Sequence, residues 1–220
     1  MLGIIRVLTT DQDDILQEHG AILHEKYKIN SISRCIPSQP NGIYDDRSEE
    51  IAIPKIIELA RQMEAEGKVD VLTISCAADP ALEETRAQVK IPVLGAGICG
   101  AHAASMVGNK IGVIGISSDP PKRMKEELRE KFHSYSYSPT LRKTTDLFRE
   151  DAKPELLALV QQVISSGADT ILFACTGFST IRLKDYLRSR VNVPIIDLVE
   201  AQGIAYQLVN RGETNECKDI

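Results

Sequence analysis

The feature that most constrains this fold is an internal repeat, in which one order of segments occurs twice about a hundred residues apart. A hydrophobic run that ends in two hydroxyl residues opens each copy, at residues 3–10 and at residues 111–118. A solenoid repeat is shorter, at about 20 to 50 residues. The repeat therefore predicts two similar α/β lobes that face each other.

Each copy continues with a segment that has the pattern of a helix, at residues 54–67 and at residues 154–167. In the first of these segments, Ile56, Ala60 and Met63 recur at the spacing of one helix face. A glycine closes both segments, and Gly67 suits the residue just past a helix end, where a positive φ is common. The two copies thus predict the same helix with the same stop signal.

A strand that ends in a cysteine follows each of these helices. An aspartate precedes the cysteine by six residues in both copies, as Asp70 before Cys76 and as Asp169 before Cys175. In open α/β sheets, ligands bind beyond the carboxyl ends of the strands. We therefore expect both thiols at a ligand site.

The alternation of short β-rich runs with helical segments predicts an α/β fold with largely parallel sheets. We predict two similar lobes related by a pseudo-two-fold axis, with the active site in the cleft between them. The predicted boundaries assign residues 1–96 and 197–220 to lobe 1, and residues 97–196 to lobe 2.

Two thiols that face each other across a cleft suit the inversion of a stereocentre. Backbone N–H groups at a helix start lower the pKa of a thiol from its ordinary value of about 8.5. After Cys76 we expect such a helix to begin at Pro80, with Asp79 as its N-cap. One thiolate would remove a proton from the substrate carbon, and the opposite thiol would return one without a cofactor.

The alternative interpretation makes both cysteines structural. Cysteine is among the most buried residue types, and a single one at a strand end more often fills space than performs chemistry. Matched positions in a repeat favour chemistry for Cys76 and Cys175, whereas Cys35, Cys99 and Cys217 have no counterpart in the other copy.

Composition excludes several other classes of protein. With 26 basic and 31 acidic residues the net charge is −5, which argues against binding to nucleic acid or to an anionic membrane. No apolar run approaches the ~18 residues of a membrane span, and the N-terminal residues lack the pattern of a signal peptide. Five cysteines without close pairs and four scattered histidines predict neither disulfides nor a metal site. We expect a cytoplasmic protein with reduced thiols.

Residues 95–100, GAGICG, match the spacing of a dinucleotide-binding glycine motif. That motif requires a full helix after the glycines, and we expect only a short helix near residues 101–107 before the next strand. The glycines are better explained by close passage of the chain between the lobes.

Two groups of motifs resemble the Asp/Glu/hydantoin racemase superfamily across nearly the whole chain. The first active-site region of that family is similar to ISCAADPAL at residues 74–82, followed by IPVLGAG at residues 91–97. The second is similar to CTG at residues 175–177, followed by VPIID at residues 193–197. The Ser-Cys-x-x-Asp-Pro form resembles the hydantoin and allantoin racemase branch most.

The resemblance implies that Cys76 and Cys175 are the catalytic acid/bases, that no cofactor is needed, and that the protein forms a homo-oligomer. It also implies that a C-terminal helix from about residue 198 returns to the first lobe. Backbone or hydroxyl groups beside the thiols and at the strand ends are implied to bind the substrate: Thr10, Ala77, Ser117, Ser118, Thr176 and Gly177.

From these features we predict a cofactor-independent racemase or epimerase that acts on a small molecule at a carbon α to a carbonyl. Hydantoin-like cyclic amides are the first choice because their α proton is more acidic than that of a free amino acid. Racemisation of aspartate, glutamate or another amino acid is the alternative, and a two-lobed, non-catalytic binding protein is the alternative of another class. Residues 8–11, LTTD, depart from the Asn-Pro-Asn-Thr segment of the hydantoin branch.

Overall fold

The computed structural model describes residues 1–210, so Cys217 and the end of the predicted first lobe lie outside the described residues. The elements of the first half are, in chain order, β1 (Leu2–Arg6), α1 (Asp13–Tyr27), β2 (Ser31–Cys35), α2 (Asp46–Ala65), β3 (Val71–Ser75), α3 (Leu82–Arg86), β4 (Val93–Gly95) and α4 (Ala96–Val107). Those of the second half are β5 (Ile111–Gly115), α5 (Lys122–Leu128), β6 (Phe132–Tyr137), α6 (Ala152–Ser165), β7 (Thr170–Phe173), α7 (Gly177–Thr180), α8 (Leu183–Leu187), β8 (Ile195–Ile196) and α9 (Leu198–Val209). Short 3₁₀ helices occupy Arg129–Lys131 and Thr144–Phe148.

The strands form two parallel four-stranded sheets with the same topology. The first sheet has the order β2-β1-β3-β4 and the second has the order β6-β5-β7-β8. In each sheet the two central strands are fully buried, which explains their nearly continuous apolar sequences. The prediction of two similar α/β lobes is confirmed. The residue boundaries assigned to those lobes stay a prediction.

The repeated aspartates tie each cysteine-bearing strand to the first strand of its own sheet. The Asp70 carboxylate accepts a hydrogen bond from the N-terminal amine of Met1 at 2.7 Å. The Asp169 carboxylate accepts from the backbone N–H groups of Asn109 and Lys110 at 3.0 and 3.1 Å. The repeated spacing from aspartate to cysteine therefore fixes where β3 and β7 begin relative to β1 and β5.

The repeated helices also match at their ends, with one difference at their starts. Gly67 and Gly167 both have positive φ, of 67° and 107°, as the pattern of the first copy predicts. α2 begins well before Pro54, which therefore lies inside the helix, whereas Pro154 lies in the first turn of α6. The capping box of Asp45 and Ser48 gives α2 its earlier start.

α4 begins at Ala96, five residues before the predicted start, and it packs against both lobes. A Cβ atom on Gly97 would collide with the carbonyl oxygen of Ala77 in the first lobe. A Cβ atom on Gly100 would collide with the side chain of Leu198. The glycines that resemble a dinucleotide motif thus permit close packing of α4.

α9 returns to the first lobe. Val199 and Tyr206 pack in one apolar cluster with Leu2 and Leu23, and the Thr73 hydroxyl donates a hydrogen bond to the Gln202 side chain at 2.7 Å. Within residues 1–210, no helix has both the length and the apolar character required to cross a bilayer.

Candidate active site

A cavity of about 1060 Å³ opens where the carboxyl ends of the two sheets approach each other. Its wall includes the connections that follow β3, β5 and β7, so both lobes contribute to it. Cys76 and Cys175 both line this cavity. They are 9% and 8% exposed, which leaves each thiol almost buried but open to the same space.

The structure brings together four of the six residues expected to bind substrate and leaves two outside the cavity wall. Those that line the cavity with the two thiols are Ala77, Ser117, Ser118 and Thr176. Gly177 is buried beside the Cys175 sulfur and does not line the cavity. Thr10 also lies outside the cavity wall, since β1 ends at Arg6 and the Thr10 hydroxyl accepts a hydrogen bond from the backbone N–H of Gln12 at 3.1 Å; its role in substrate binding stays a prediction.

The Cys76 thiol lies in an environment that opposes ionisation. Burial raises its pKa, and nearby Cys175, Glu49 and Asp79 add to the effect, while the backbone N–H of Ala78 acts in the opposite direction. The low dielectric constant of a buried site disfavours a charged thiolate.

The Cys175 thiol lies in an environment that opposes ionisation less. Burial raises its pKa to about 11, and the backbone N–H groups of Gly177 and Phe178 and the Arg6 charge lower it. The expectation that helix starts would lower both thiol pKa values below their ordinary range is wrong, because burial outweighs those N–H groups at each site. Of the two thiols, Cys175 ionises more readily.

The turn after Cys76 also differs from the predicted one. α3 begins at Leu82, not at Pro80, and Asp79 has a left-handed backbone with φ 53°. Its carboxylate accepts from the backbone N–H groups of Gly97 and Ile98, both at 2.7 Å, and so caps α4. Burial raises the pKa of Asp79 to about 7.

Two buried side chains behind the cysteines were missed by sequence reasoning. Arg6 interrupts the apolar strand β1, and its guanidinium donates to the carbonyl oxygens of Ile15 and Leu16 and to the Thr180 hydroxyl. His19 is completely buried. Arg6 could have been identified from the sequence, because a charged residue inside an apolar strand is unusual. His19 could not, because its role depends on contacts with residues far away in the sequence.

The outer wall of the cavity carries charges of both signs. Acidic side chains there are Asp45, Asp46, Glu49, Glu83, Asp119 and Glu126. Basic side chains are Arg47, Lys122, Arg123 and Arg142. Among residues 1–210, no group of three or more His, Cys, Asp or Glu side chains is arranged to hold a metal ion.

Residues 21–202 match the model of the family described as Asp/Glu/hydantoin racemase. A curated relative, the hydantoin racemase of Rhizobium meliloti, is 28% identical over 187 residues, which cover 80% of this chain and 75% of that protein.

Solved structures with the same fold include an allantoin racemase from Klebsiella pneumoniae, with a TM-score of 0.78 and 20% identity, covering 94% of this chain and 86% of that one. A glutamate racemase from Bacillus anthracis has a TM-score of 0.70 and 19% identity, covering 95% of this chain and 80% of that one. At these identities the similarity shows a shared two-lobed fold.

Proposed function

Since the chain belongs to the Asp/Glu/hydantoin racemase family and is an isomerase of the racemase type, we propose that Cys76 and Cys175 invert a carbon α to a carbonyl. The observation that carries this proposal is the equivalent position of the two thiols. Each follows the same strand of its sheet, and both line one cavity. A substrate between them would present one face of its α carbon to each sulfur.

The proposed reaction moves one proton at each face. The thiolate of one cysteine takes the α proton, so the C–H bond breaks, an S–H bond forms, and the electron pair passes into the carbonyl as an enolate. The S–H bond of the opposite cysteine then breaks, and its proton forms a new C–H bond on the other face. The substrate is inverted, and the thiolate has moved from one cysteine to the other.

Cys175 is the proposed base of the resting enzyme. It has two backbone N–H donors and the nearby charge of Arg6, whereas Cys76 has one such donor and acidic neighbours. The proposed sequence therefore starts with the Cys175 thiolate and the Cys76 thiol, and the reverse reaction starts from the exchanged state.

Hydantoin-like cyclic amides are the proposed substrates. A thiol whose pKa lies near 11 is thiolate in only about one molecule in ten thousand at pH 7, so an acidic α proton compensates for the scarce base. The relative from Rhizobium meliloti, a hydantoin racemase, also supports this class. Racemisation of aspartate, glutamate or another amino acid remains the second candidate, because Arg47 and Arg142 in the cavity wall suit a substrate carboxylate.

The test measures loss of optical rotation for 5-substituted hydantoins, allantoin and free amino acids. We expect racemisation of a hydantoin-like substrate, and its loss in both Cys76→Ala and Cys175→Ala. Cys35→Ala is the matched control, since Cys35 also ends a strand but does not line the cavity. Undiminished racemisation in both single variants would overturn the two-cysteine mechanism. Ligand-induced thermal stabilisation without proton exchange on the whole panel would favour a binding protein.

We also propose that the protein works in the cytoplasm as a homo-oligomer with a small molecule as its partner. A mechanism that needs two reduced thiols would fail where thiols are oxidised. Light scattering on the purified protein measures the oligomeric state, and a monomer at all concentrations would contradict this proposal.

A further inference from the structure

One buried histidine connects the two chain segments that carry the cysteines. The Nδ1 atom of His19 lies 2.9 Å from the hydroxyl oxygen of Ser75, the residue before Cys76. The Nε2 atom lies 3.1 Å from the carbonyl oxygen of Thr176, the residue after Cys175, and 2.9 Å from the Thr180 hydroxyl. A single imidazole ring therefore joins the immediate chain neighbours of the two cysteines.

The partners of the ring determine which nitrogen carries the proton. A carbonyl oxygen can only accept, so Nε2 is protonated and donates to Thr176. Nδ1 then accepts the hydroxyl proton of Ser75. Burial and the Arg6 charge hold the pKa of His19 well below its usual range, which agrees with a neutral ring.

A second link runs parallel to the histidine. The Thr176 hydroxyl donates to the carbonyl oxygen of Ser75 at 3.0 Å. On the other side, the Gln202 side chain donates to the Ser75 hydroxyl at 3.4 Å and to the carbonyl oxygen of Leu198 at 3.1 Å. Ser75, Thr180 and Gln202 are thus partners in one buried network, which His19 joins across the lobes.

Two-base inversion requires that the two sulfurs lie at a fixed separation on opposite sides of one carbon. A displacement of about 1 Å at a reacting group costs up to about a hundredfold in rate. Ser75 and Thr176 are the direct chain neighbours of Cys76 and Cys175. A restraint between them is therefore a restraint on the distance between the thiols.

We propose that His19 is a positioning residue that fixes the separation of Cys76 and Cys175 by joining the segment of Ser75 to that of Thr176. This role rests on the proposed two-cysteine function, but the separation of the thiols is measured without any activity.

The first experiment measures that separation with bifunctional thiol reagents of graded spacer length, with cross-linked peptides identified by mass spectrometry. In the unchanged protein we expect a narrow range of spacers to join Cys76 to Cys175. In His19→Phe, which keeps a ring of similar size, the yield of the best spacer should fall at least about threefold and other lengths should appear. His24→Phe is the matched control, because His24 lies exposed on the same helix.

The second experiment separates positioning from stability. In His19→Phe, kcat should fall about 10- to 100-fold with little change in KM, because proton transfer depends more steeply on geometry than substrate binding does. His19→Gln should recover part of kcat, since its amide can donate to the Thr176 carbonyl. If His19→Phe fails to fold, Ser75→Ala removes the other end of the link and carries both measurements.

Several outcomes overturn the proposal. The first is a folded His19→Phe variant whose cross-linking profile equals that of the unchanged protein, whether or not kcat falls. The second is a variant with a lower melting temperature but the same kcat and the same cross-linking profile. If the unchanged protein racemises nothing while the spacer profile broadens in the variant, the proposed function fails and the positioning role stands.

Discussion

The two cysteine sites share a backbone plan but differ in their chemistry. Both cysteines follow the third strand of a sheet, next to the strand that opens the lobe, and an aspartate fixes the start of both strands. After Cys175 the chain enters α7 at once, so two backbone N–H groups face the sulfur. After Cys76 it makes a turn whose carboxylate, Asp79, caps α4.

Under the proposed mechanism, this difference gives two equivalent positions of a duplicated fold unequal roles in one reaction. Equivalent positions on the sheets place both thiols in the wall of one cavity, as the proposed inversion requires. Unequal surroundings then raise the two pKa values by different amounts, with Cys76 the more strongly affected. One thiol is thereby suited to hold a proton when the other is ionised.

The largest expected difference between the two cysteine sites is in which enantiomer exchanges its α proton with solvent. With Cys76→Ala, we expect deuterium from the solvent to enter only the enantiomer whose α proton faces Cys175, and with Cys175→Ala only the opposite enantiomer. Racemisation should fall about 10²- to 10⁴-fold in both, as for removal of a general acid or base. NMR of each enantiomer in D₂O measures the exchange. Exchange of both enantiomers by one single variant would contradict the assignment of one face to each thiol.

The pH dependence of the rate tests which of the two thiols has the lower pKa and acts as the base. Because Cys175 has a pKa of about 11 and its thiolate is the base, kcat/KM should rise about tenfold per pH unit from pH 7 to pH 10. Cys76 keeps its proton over this range since its pKa is raised further, so no descending limb should appear. Initial rates in buffers of constant ionic strength measure the slope. A plateau below pH 9 would show that another group is the base.

Much of the fold was predictable because short-range sequence patterns define the repeat. Alternating strands and helices, the glycines that end α2 and α6, and the spacing from aspartate to cysteine all follow from local preferences. The helical pattern located the end of α2 but not its start, which the capping box of Asp45 and Ser48 sets at Asp46.

Of the candidate site, only the residues that the internal repeat duplicates could be predicted from the sequence. The positions of Cys76 and Cys175 in one cavity follow from the repeat, whereas the turn at Asp79 depends on the distant N-terminus of α4. The raised thiol pKa values depend on burial by the whole fold, and the spacing of residues in the sequence does not show how deeply a thiol is buried. His19 was missed because its partners lie 56 and 157 residues away.

Asp79→Asn breaks the turn that distinguishes the Cys76 side. An asparagine offers one acceptor to the two N–H groups of Gly97 and Ile98, so one loses its partner, and we expect a loss of about 1–3 kcal/mol in the free energy of unfolding. Urea unfolding at about pH 8, where the Asp79 carboxylate is mostly ionised, measures it. Asp70→Asn, which weakens an exposed ion pair with the N-terminus, is the control and should cost about 0–1 kcal/mol.

The same variant has a pH signature with a defined sign. The folded pKa of Asp79, about 7, lies above its ordinary value of 3.8, so the folded state binds more protons between these values. The contribution of this group to stability is therefore present at low pH and is lost as the pH rises to about 7. Asp79→Asn should remove that slope, and an unchanged slope would show that Asp79 is not its source.

Arg6→Met tests the smallest contribution to the difference between the two thiol pKa values, which is the Arg6 charge near Cys175. Loss of the guanidinium should raise the pKa of Cys175 and leave Cys76 nearly unchanged, because Arg6 acts on the Cys175 thiol. We expect alkylation of Cys175 by iodoacetamide at fixed pH to slow about tenfold, as for one pKa unit. Peptide mass spectrometry follows both thiols in one sample. The control is Arg34→Met, which removes a partly exposed arginine paired with Glu66. Equal slowing at both thiols would mean that Arg6 supports the fold around the cavity and does not set the inequality between the two sites.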